Sequence, residues 1–420
     1  MRRSIGRYAE PTNGAAVASR IITPTARGFL HLDAHPSGCA RAVEQMGARV
    51  ARLVASPFPA GGRRPVVLVV GCSAGYGLAA MVAAVAGFGM DGIGIGFEKA
   101  PTPRRTATAG WYRVIATAAL AEGAGARVAF LNADAFADAT KDEVLDLIER
   151  RFGRLDYLIY SIAAPRRTDP DTGEVYASVI KPIGAAHRTP TLVFDSDGVP
   201  DCREVEVAPA TDDEIAQTVN VMGGSDWSRW IDGLAARGLL APGFTTVALT
   251  YIGSDLTAAI YRQGTIGAAK HHLEETARTL NERLAAAGGR AATSVNGAAV
   301  TQSSTAIPGI ALYVGLLRRV LGEGLRPPID QFVDLWAQLT GASPLDIDEL
   351  GRIRLDGWEL APEVQAEVAK RWAAATNDTV ADLADLDWFS DEVRRLYGFA
   401  VPGVDYQVPT DPDRDWPPGR

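Results

Sequence analysis

The run at 66–98, VVLVVGCSAGYGLAAMVAAVAGFGMDGIGIGFE, constrains the fold more than any other stretch of these 420 residues. Val66–Val70 is an unbroken apolar run, mostly β-branched, and reads as a buried strand. Gly71, Gly75 and Gly77 follow in G-x-x-x-G-x-G spacing, and residues 78–88 then read as a buried helix without charge. Residues 93–97 read as the next strand, with Glu98 at its end, 21 residues beyond Gly77. In a dinucleotide fold each part has a task. The glycines let the backbone approach a pyrophosphate, the helix start offers free N–H groups and the positive end of its dipole, and the acid accepts from ribose hydroxyls. Two readings compete. Residues 66–90 carry no charge and are long enough to span a bilayer, but the glycines, Ser73 and the strand-like opening argue against a membrane span. The other is a glycine turn that binds nothing; its place between strand and helix, with the distal acid, argues against that.

Further β-α alternation extends this unit into an α/β fold, a Rossmann-type doubly wound parallel sheet with an inserted substrate-binding lid and extra helices. Strands are expected at 127–131, 155–162, 244–251 and 291–295, and helices at 40–55, 141–152, 311–321, 329–339, 361–374 and 389–397. Residues 21–32 read as a hairpin or an edge strand. The alternation breaks at 165–240, which is expected to be the lid: a basic polar segment, a hairpin at 191–207 turning on Asp197-Gly198, and helices capped by Thr211 and Ser225. One extended domain is expected over 21–408, between disordered tails at 1–20 and 409–420.

Composition narrows the function classes. The net charge is −8 and no dense basic stripe appears, so a nucleic-acid partner is not expected. Three widely spaced cysteines fit a reducing cytoplasm better than a disulfide framework. No metal site is expected. His35 and Cys39 are a nucleophile-and-base candidate without a flanking activation signal, so packing is the favoured reading. The polar stretch 99–113 either closes over the adenosine, carries substrate contacts, or is a solvated loop. Asp134, closing the strand at 127–131, is either an adenine contact or a helix N-cap. The hydroxyl-rich run 301–304 either holds a carboxamide or caps the next helix.

No Y-x-x-x-K pair of the short-chain dehydrogenase type occurs. Tyr261 and Lys270 are nine apart, on opposite sides of an unbroken helix, and meet only if the helix begins after the tyrosine. Gly264 and Thr265 supply such a start.

The stretches ARGFLHLDAHPSGC, VGCSAGYGLA, GFEKAPTPRRTATAGWY, NADAF, YSIAAPRRTDPDTGEVYASVIKPIG, TYIGSDLTAAIYRQGTIGAAK and AAVTQSSTAIP resemble the monomeric trans-2-enoyl-CoA reductases, which include the FabV-type enoyl-ACP reductases. The resemblance spans about 21–409. It implies NADH-dependent reduction of the C2–C3 double bond of a trans-2-enoyl-CoA or enoyl-ACP in fatty acid biosynthesis, by a cytoplasmic monomer without membrane insertion. Carried over by motif, Gly71, Cys72, Ser73, Ala74, Gly75 and Tyr76 would line the pyrophosphate. Phe97 and Glu98 would hold the adenosine ribose, Asp134 and Ala135 the adenine, and Ile162 and Ala163 the second ribose. Lys270 would bond the nicotinamide ribose, and Ala299, Val300 and Thr301 would face the nicotinamide. Tyr251 would touch the thioester, and Tyr261 would be the catalytic tyrosine. Arg166, Arg167 or Lys181 would suit the substrate phosphates. Two positions depart from the family pattern: Ala299, smaller than the usual aliphatic, implies a looser nicotinamide contact, and the Arg262-Gln263 pair bears on acyl-chain preference. A carbonyl-reducing NAD(P)H dehydrogenase on the same fold and a non-catalytic NAD(H) sensor are the alternatives.

Overall fold

The structure, a computed structural model, describes residues 19–27, 30–54, 62–194 and 200–417. A short hairpin, β1 (Ala26–Arg27) and β2 (Leu30–His31), precedes α1 (Pro36–Leu53). The β-α alternation then runs β3 (Val66–Val70), α2 (Gly75–Ala86), β4 (Asp91–Gly96), α3 (Ala109–Gly123), β5 (Val128–Asn132), α4 (Asp138–Arg151) and β6 (Leu155–Tyr160). Two antiparallel hairpins follow, β7 (Arg166–Thr168) with β8 (Val175–Ala177), and β9 (His187–Phe194) with β10 (Pro200–Val207). The chain returns through α5 (Asp212–Met222), α6 (Ser225–Ala236), β11 (Leu240–Thr250), α7 (Thr265–Ala285) and β12 (Arg290–Val295). It closes with α8 (Ile310–Leu321), α9 (Pro328–Leu339), β13 (Arg352–Arg354), α10 (Pro362–Ala374), α11 (Val380–Leu383) and α12 (Leu386–Arg395).

Seven strands form one parallel sheet in the order β13-β12-β11-β6-β3-β4-β5. Alternation along β3 builds both faces. Val67 and Val69 pack with α1, α2 and α9, while Val66, Leu68 and Val70 pack with α4, α6 and α7. The helix α2 has no polar face because α1 and α9 cover its far side, and the Trp336 indole donates to Ala80 O (2.9 Å). Each fully buried Val, Leu or Met in this sandwich contributes about 1.5–3 kcal/mol. Strand order reverses between β3 and β6, which opens a crevice at their carboxyl ends. A third core, centred on α8 with α10 and α12, sits over that edge and includes Ile260, Tyr261 and Ile266.

Several expectations are corrected. The helix expected from residue 78 begins at Gly75, and the strand expected at 93–97 ends at Gly96, leaving Phe97 outside and 76% exposed. Thr211 caps α5 in a capping box with Glu214, as its sequence suggests. Ser225 does not cap α6. Gly224 precedes that helix, and its N–H donates to His272 Nδ1 of α7 (2.9 Å). Of the stretch expected as a lid, 165–240, α6 packs instead in the sheet core through Trp227, Trp230, Ile231 and Leu234. β13 was not expected: three residues with two arginines give no apolar signal.

Residues 409–417 are not a loose tail. Trp416 donates to Phe130 O (3.0 Å) and packs edge-on against Trp111, and Thr410 pairs with Arg20. Trp111 and Tyr112 donate to Arg414 O and Pro412 O (2.7 Å each), so these aromatics of the polar stretch hold the C-terminal segment, not a nucleotide. The rest of the expected N-terminal tail, 1–18, the turn on Asp197-Gly198 and residues 418–420 lie outside the described residues. Cys39 is fully buried in α1, where burial pushes its thiol up to about 11, and His35 Nδ1 accepts from Gly38 N (3.2 Å) as the helix cap. The packing reading of that pair therefore holds. Among the described residues no helix is long and apolar enough to cross a membrane, and no group of His, Cys, Asp and Glu is arranged to hold a metal ion.

Candidate active site

The glycine turn lies at the switch point. Gly71 has φ +91, and a Cβ there would fall 2.1 Å from Ser161 O of the neighbouring strand end. One on Gly77 would fall 2.0 Å from Gly71 O. These contacts let α2 begin against the sheet edge. Ala74, which has no hydroxyl or carboxylate, is its N-cap, so no side chain occupies the first-turn N–H groups beside the crevice.

A cleft of about 550 Å³ runs along this edge. It is lined by Gly71, Ser73, Ala74, Gly75 and Tyr76, by Phe97 and Glu98, by Asp134 and Ala135, and by Ile162 and Ala163. Cys72 is the exception in its loop. Its side chain is buried in the core beneath, where burial raises the thiol's pKa, so only its backbone is available. Glu98 is anchored on both oxygens: Ser73 Oγ donates to Oε1 (2.6 Å) and Thr108 Oγ1 to Oε2. Asn132 then fixes its backbone, with Oδ1 accepting from Glu98 N (2.7 Å) and Nδ2 donating to Glu98 O (3.0 Å). Asp134 does not cap α4, whose N-cap is Ala137; its Oδ1 accepts from Phe136 N (3.0 Å) in a turn at the cleft wall. Lys141, 6% exposed, supports that turn by donating to Ala135 O (3.0 Å) and Phe136 O (2.9 Å) while paired with Asp226 (2.8 Å).

An inner cavity of about 350 Å³ shares Tyr76, Ile162, Ala163 and Thr301 with the cleft, so the two are continuous. Tyr251, Tyr261, Lys270 and Ala299 line it. Val300 does not; it packs against the third core. α7 starts at Thr265 because Lys181 of the lid holds that point: Thr265 N donates to Lys181 O (3.0 Å), and a Cβ on Gly264 would fall 2.8 Å from the same oxygen. Tyr261 therefore lies outside the helix and Lys270 inside it, yet both face one cavity. Burial pulls the Lys270 ammonium down to about 8, against the Glu274 carboxylate, and raises the phenol pKa values of Tyr251 and Tyr261. The two phenol rings meet edge to face at 4.8 Å. Arg262 lines neither cavity; its guanidinium is bidentate on Glu274 (2.8 and 3.1 Å), so the departure at this position does not touch an acyl chain there. The run 301–304 does not cap α8, whose N-cap is Gly309; it folds on itself at the junction of the cavities.

Family models agree with this layout. One described as the NAD(P)H binding domain of trans-2-enoyl-CoA reductase matches 21–103, and one described as the trans-2-enoyl-CoA reductase catalytic region matches 105–340. The chain belongs to the trans-2-enoyl-CoA reductase family. It is 62% identical over 396 residues to an enoyl-[acyl-carrier-protein] reductase [NADH] of Streptomyces avermitilis, covering 94% of this chain and 100% of that one. A Burkholderia pseudomallei enoyl-[acyl-carrier-protein] reductase [NADH] is 44% identical, with 94% and 98% covered. The crystal structure of the Clostridium acetobutulicum trans-2-enoyl-CoA reductase in complex with NADH matches with a TM-score of 0.88 at 36% identity, over 95% of this chain and 100% of that one. The Treponema denticola trans-2-enoyl-CoA reductase in complex with NAD gives 0.87 at 38%, with 94% and 99% covered.

A third model, described as an enoyl reductase FAD binding domain, matches 347–409 of this trans-2-enoyl-CoA reductase. The residues there do not fit a flavin, since none of them lines the cleft or the inner cavity. They form the edge strand β13 and helices packed on α8. The cleft does fit NADH: an open helix start for phosphates, a fixed carboxylate for a ribose, and an inner cavity behind.

Sequence reasoning missed Asn132, Lys141 and Glu359. Only Asn132, at a strand's carboxyl end, carried a signal that could have found it.

Proposed function

We propose that this chain reduces the C2–C3 double bond of trans-2-enoyl thioesters with NADH, using Tyr261 and Lys270. The observation that carries this reading is that these two residues line one apolar cavity continuous with the dinucleotide cleft. NADH, when bound, supplies a hydride to C3. Negative charge then builds on the thioester oxygen as an enolate, a donor aimed at that oxygen lowers the barrier, and C2 takes up a proton to complete the saturated thioester. Tyr261 has its hydroxyl uncommitted among the described residues, so it is the phenol free to donate. Tyr251 donates to Glu359 Oε1 (2.8 Å). It therefore shapes the thioester pocket as a wall and not as a second donor. Lys270, as the ammonium, favours negative charge on the phenol oxygen and holds the cofactor ribose. The cavity's apolar walls strengthen both interactions by excluding water.

Of the three lid cations considered for the substrate phosphates, Arg167 is buried and donates to Asn220 O (2.8 Å), and Lys181 is paired with Glu214 (2.6 Å). Arg166 remains, exposed at the cleft wall. It is assigned to the phosphates of a CoA or a carrier-protein arm. All three cysteines are free and buried, which suits the cytoplasm, and the relatives' names support a place in fatty acid synthesis. The decisive assay is NADH oxidation with crotonyl-CoA, by the unmodified chain and by Tyr261→Phe. An inactive chain that still binds NADH would support the sensor reading, and ketone reduction in place of crotonyl-CoA reduction would support the carbonyl reductase.

A further inference from the structure

Behind the inner cavity lies a carboxylic acid with no part in the chemistry above. Glu359 is 0% exposed, and among the described residues no cation pairs with it. Its carboxyl collects three donors from three elements. Tyr251 OH at the end of β11 and Tyr313 OH on α8 both donate to Oε1, at 2.8 Å each, and Ala298 N donates to Oε2. Gln365 of α10 fixes the arrangement from outside, donating to Tyr313 OH (3.0 Å) and Glu359 O (2.7 Å). The next residue back, Gly297, is held in turn by Gln331 Oε1 of α9 (2.8 Å) and by Tyr76 OH on its carbonyl (2.7 Å).

From this geometry we propose that Glu359 is a positioning residue of the reductase: its ionised carboxyl fixes Tyr251 on the substrate side and the Ala298–Thr301 backbone on the nicotinamide side in one register. The inference rests on the site reading above, in which Tyr261 and Lys270 act on the reacting groups, with Ala298, Ala299 and Thr301 lining the same cavity. It also gives the 347–409 region a task in place of a flavin. Only the carboxylate accepts from all three donors at once. A proton on Oε1 must be donated, so Tyr251 or Tyr313 has to turn its hydroxyl and accept; a proton on Oε2 faces the Ala298 N–H and displaces it. Either way the register that holds Tyr251 and Ala298 shifts.

The groups facing Glu359 are Tyr251, Tyr313, Tyr76 and Tyr261, with Asp356 nearby and itself bound by Arg354. Burial pushes Glu359 up to about 7, against the three donors. Its loss as a carboxylate therefore falls on the acid side of neutrality, and turnover should decline as pH drops through that point.

The test is the pH profile of kcat and KM for crotonyl-CoA in four proteins. The unmodified enzyme should show an acid limb near neutrality. In Glu359→Gln that limb should vanish, and kcat should fall by up to about 10²-fold, the cost of a misplaced reacting pair, with KM changed far less. Tyr313→Phe removes one donor without touching the cavity, so the limb should move to higher pH by about 1 unit. A Glu359→Gln enzyme with the unmodified profile overturns the proposal. So does a limb that Tyr313→Phe leaves in place, which decides the matter even if Glu359→Gln fails to fold. Tyr261→Phe is the fourth protein. If it keeps full activity, the site reading itself is wrong; if it loses activity while Glu359→Gln and Tyr313→Phe behave as wild type, only the role of Glu359 falls.

Discussion

Replacing Glu98 by Gln should relax the choice between NADH and NADPH. With the adenosine ribose placed at Glu98, as the family motif implies, a 2′-phosphate would have to sit against its carboxylate, which Ser73 and Thr108 hold while Asn132 fixes its backbone. It has little freedom to retreat, because Gly110 closes on it: a Cβ at Gly110 would fall 2.1 Å from Oε1. Two unit charges about 4 Å apart cost about 4 kcal/mol at an effective dielectric of 20. Glu98 is partly exposed, and ions at physiological strength screen such a pair, so about 1.5–3 kcal/mol is the realistic share. That corresponds to roughly 10- to 10²-fold in the ratio of kcat/KM for the two cofactors. Gln keeps the shape and one acceptor, so NADH should lose only part of its ribose contact. Steady-state NADPH and NADH titrations at saturating crotonyl-CoA, at low and at high salt, measure the ratio. The difference between cofactors should also shrink as salt rises in the unmodified enzyme. Equal use of both cofactors by the unmodified enzyme, or an unchanged ratio in Glu98→Gln, would refute the electrostatic reasoning.

Tyr261→Phe should lower kcat by on the order of 10²–10³ with NADH binding near normal, as expected for loss of one donor to a developing oxyanion; Lys270→Met should weaken both, and the double variant should be little worse than the worse single one. Above neutrality, kcat should fall as pH rises through about 8, because Lys270, with its pKa lowered by burial, loses its ammonium there; a profile flat to pH 10, where an ordinary lysine titrates, would refute this. Trp416→Ala, or a chain ending at Val408, should lower Tm by several degrees, from loss of about 2–3 kcal/mol of partly buried indole and its bond to Phe130 O, whereas starting the chain at Ile21 should cost little beyond the Arg20–Thr410 pairing.

What the sequence made legible is what short-range patterning encodes. The strand–turn–helix–strand order at 66–98 was readable because buried parallel strands are continuous apolar runs and because a turn this tight admits only glycine. That Tyr261 and Lys270 line one cavity was readable for a narrower reason. Gly264-Thr265 is a helix start, and a helix that begins there leaves Tyr261 free to turn back. The boundaries drifted by a few residues where side-chain chemistry gave no signal, as at Ala74, an N-cap that carries no capping group.

The rest depends on partners far away in sequence. Lys141 looks like one more surface residue of an amphipathic helix until Asp226 of α6 pairs with it beneath the turn at 134–136. Trp416 sits among Pro and Asp residues, a composition that predicts disorder, and is ordered only because Trp111 and the β5 edge are there to receive it. Glu359 follows the same logic most fully. An acid in a Trp-Glu-Leu stretch reads as solvated surface, since burying a lone carboxylate costs several kcal/mol. Three donors brought from β11, α8 and the 297–298 turn offset that cost. None of the three is near Glu359 in the chain, so no local pattern records the site. It exists only once the edge region at 347–409 has closed over the carboxyl ends of the sheet. The glycine turn can bind a nucleotide wherever a sheet and a helix meet, but the inner wall of this cavity needs the final third of the chain in place before its tyrosines are fixed.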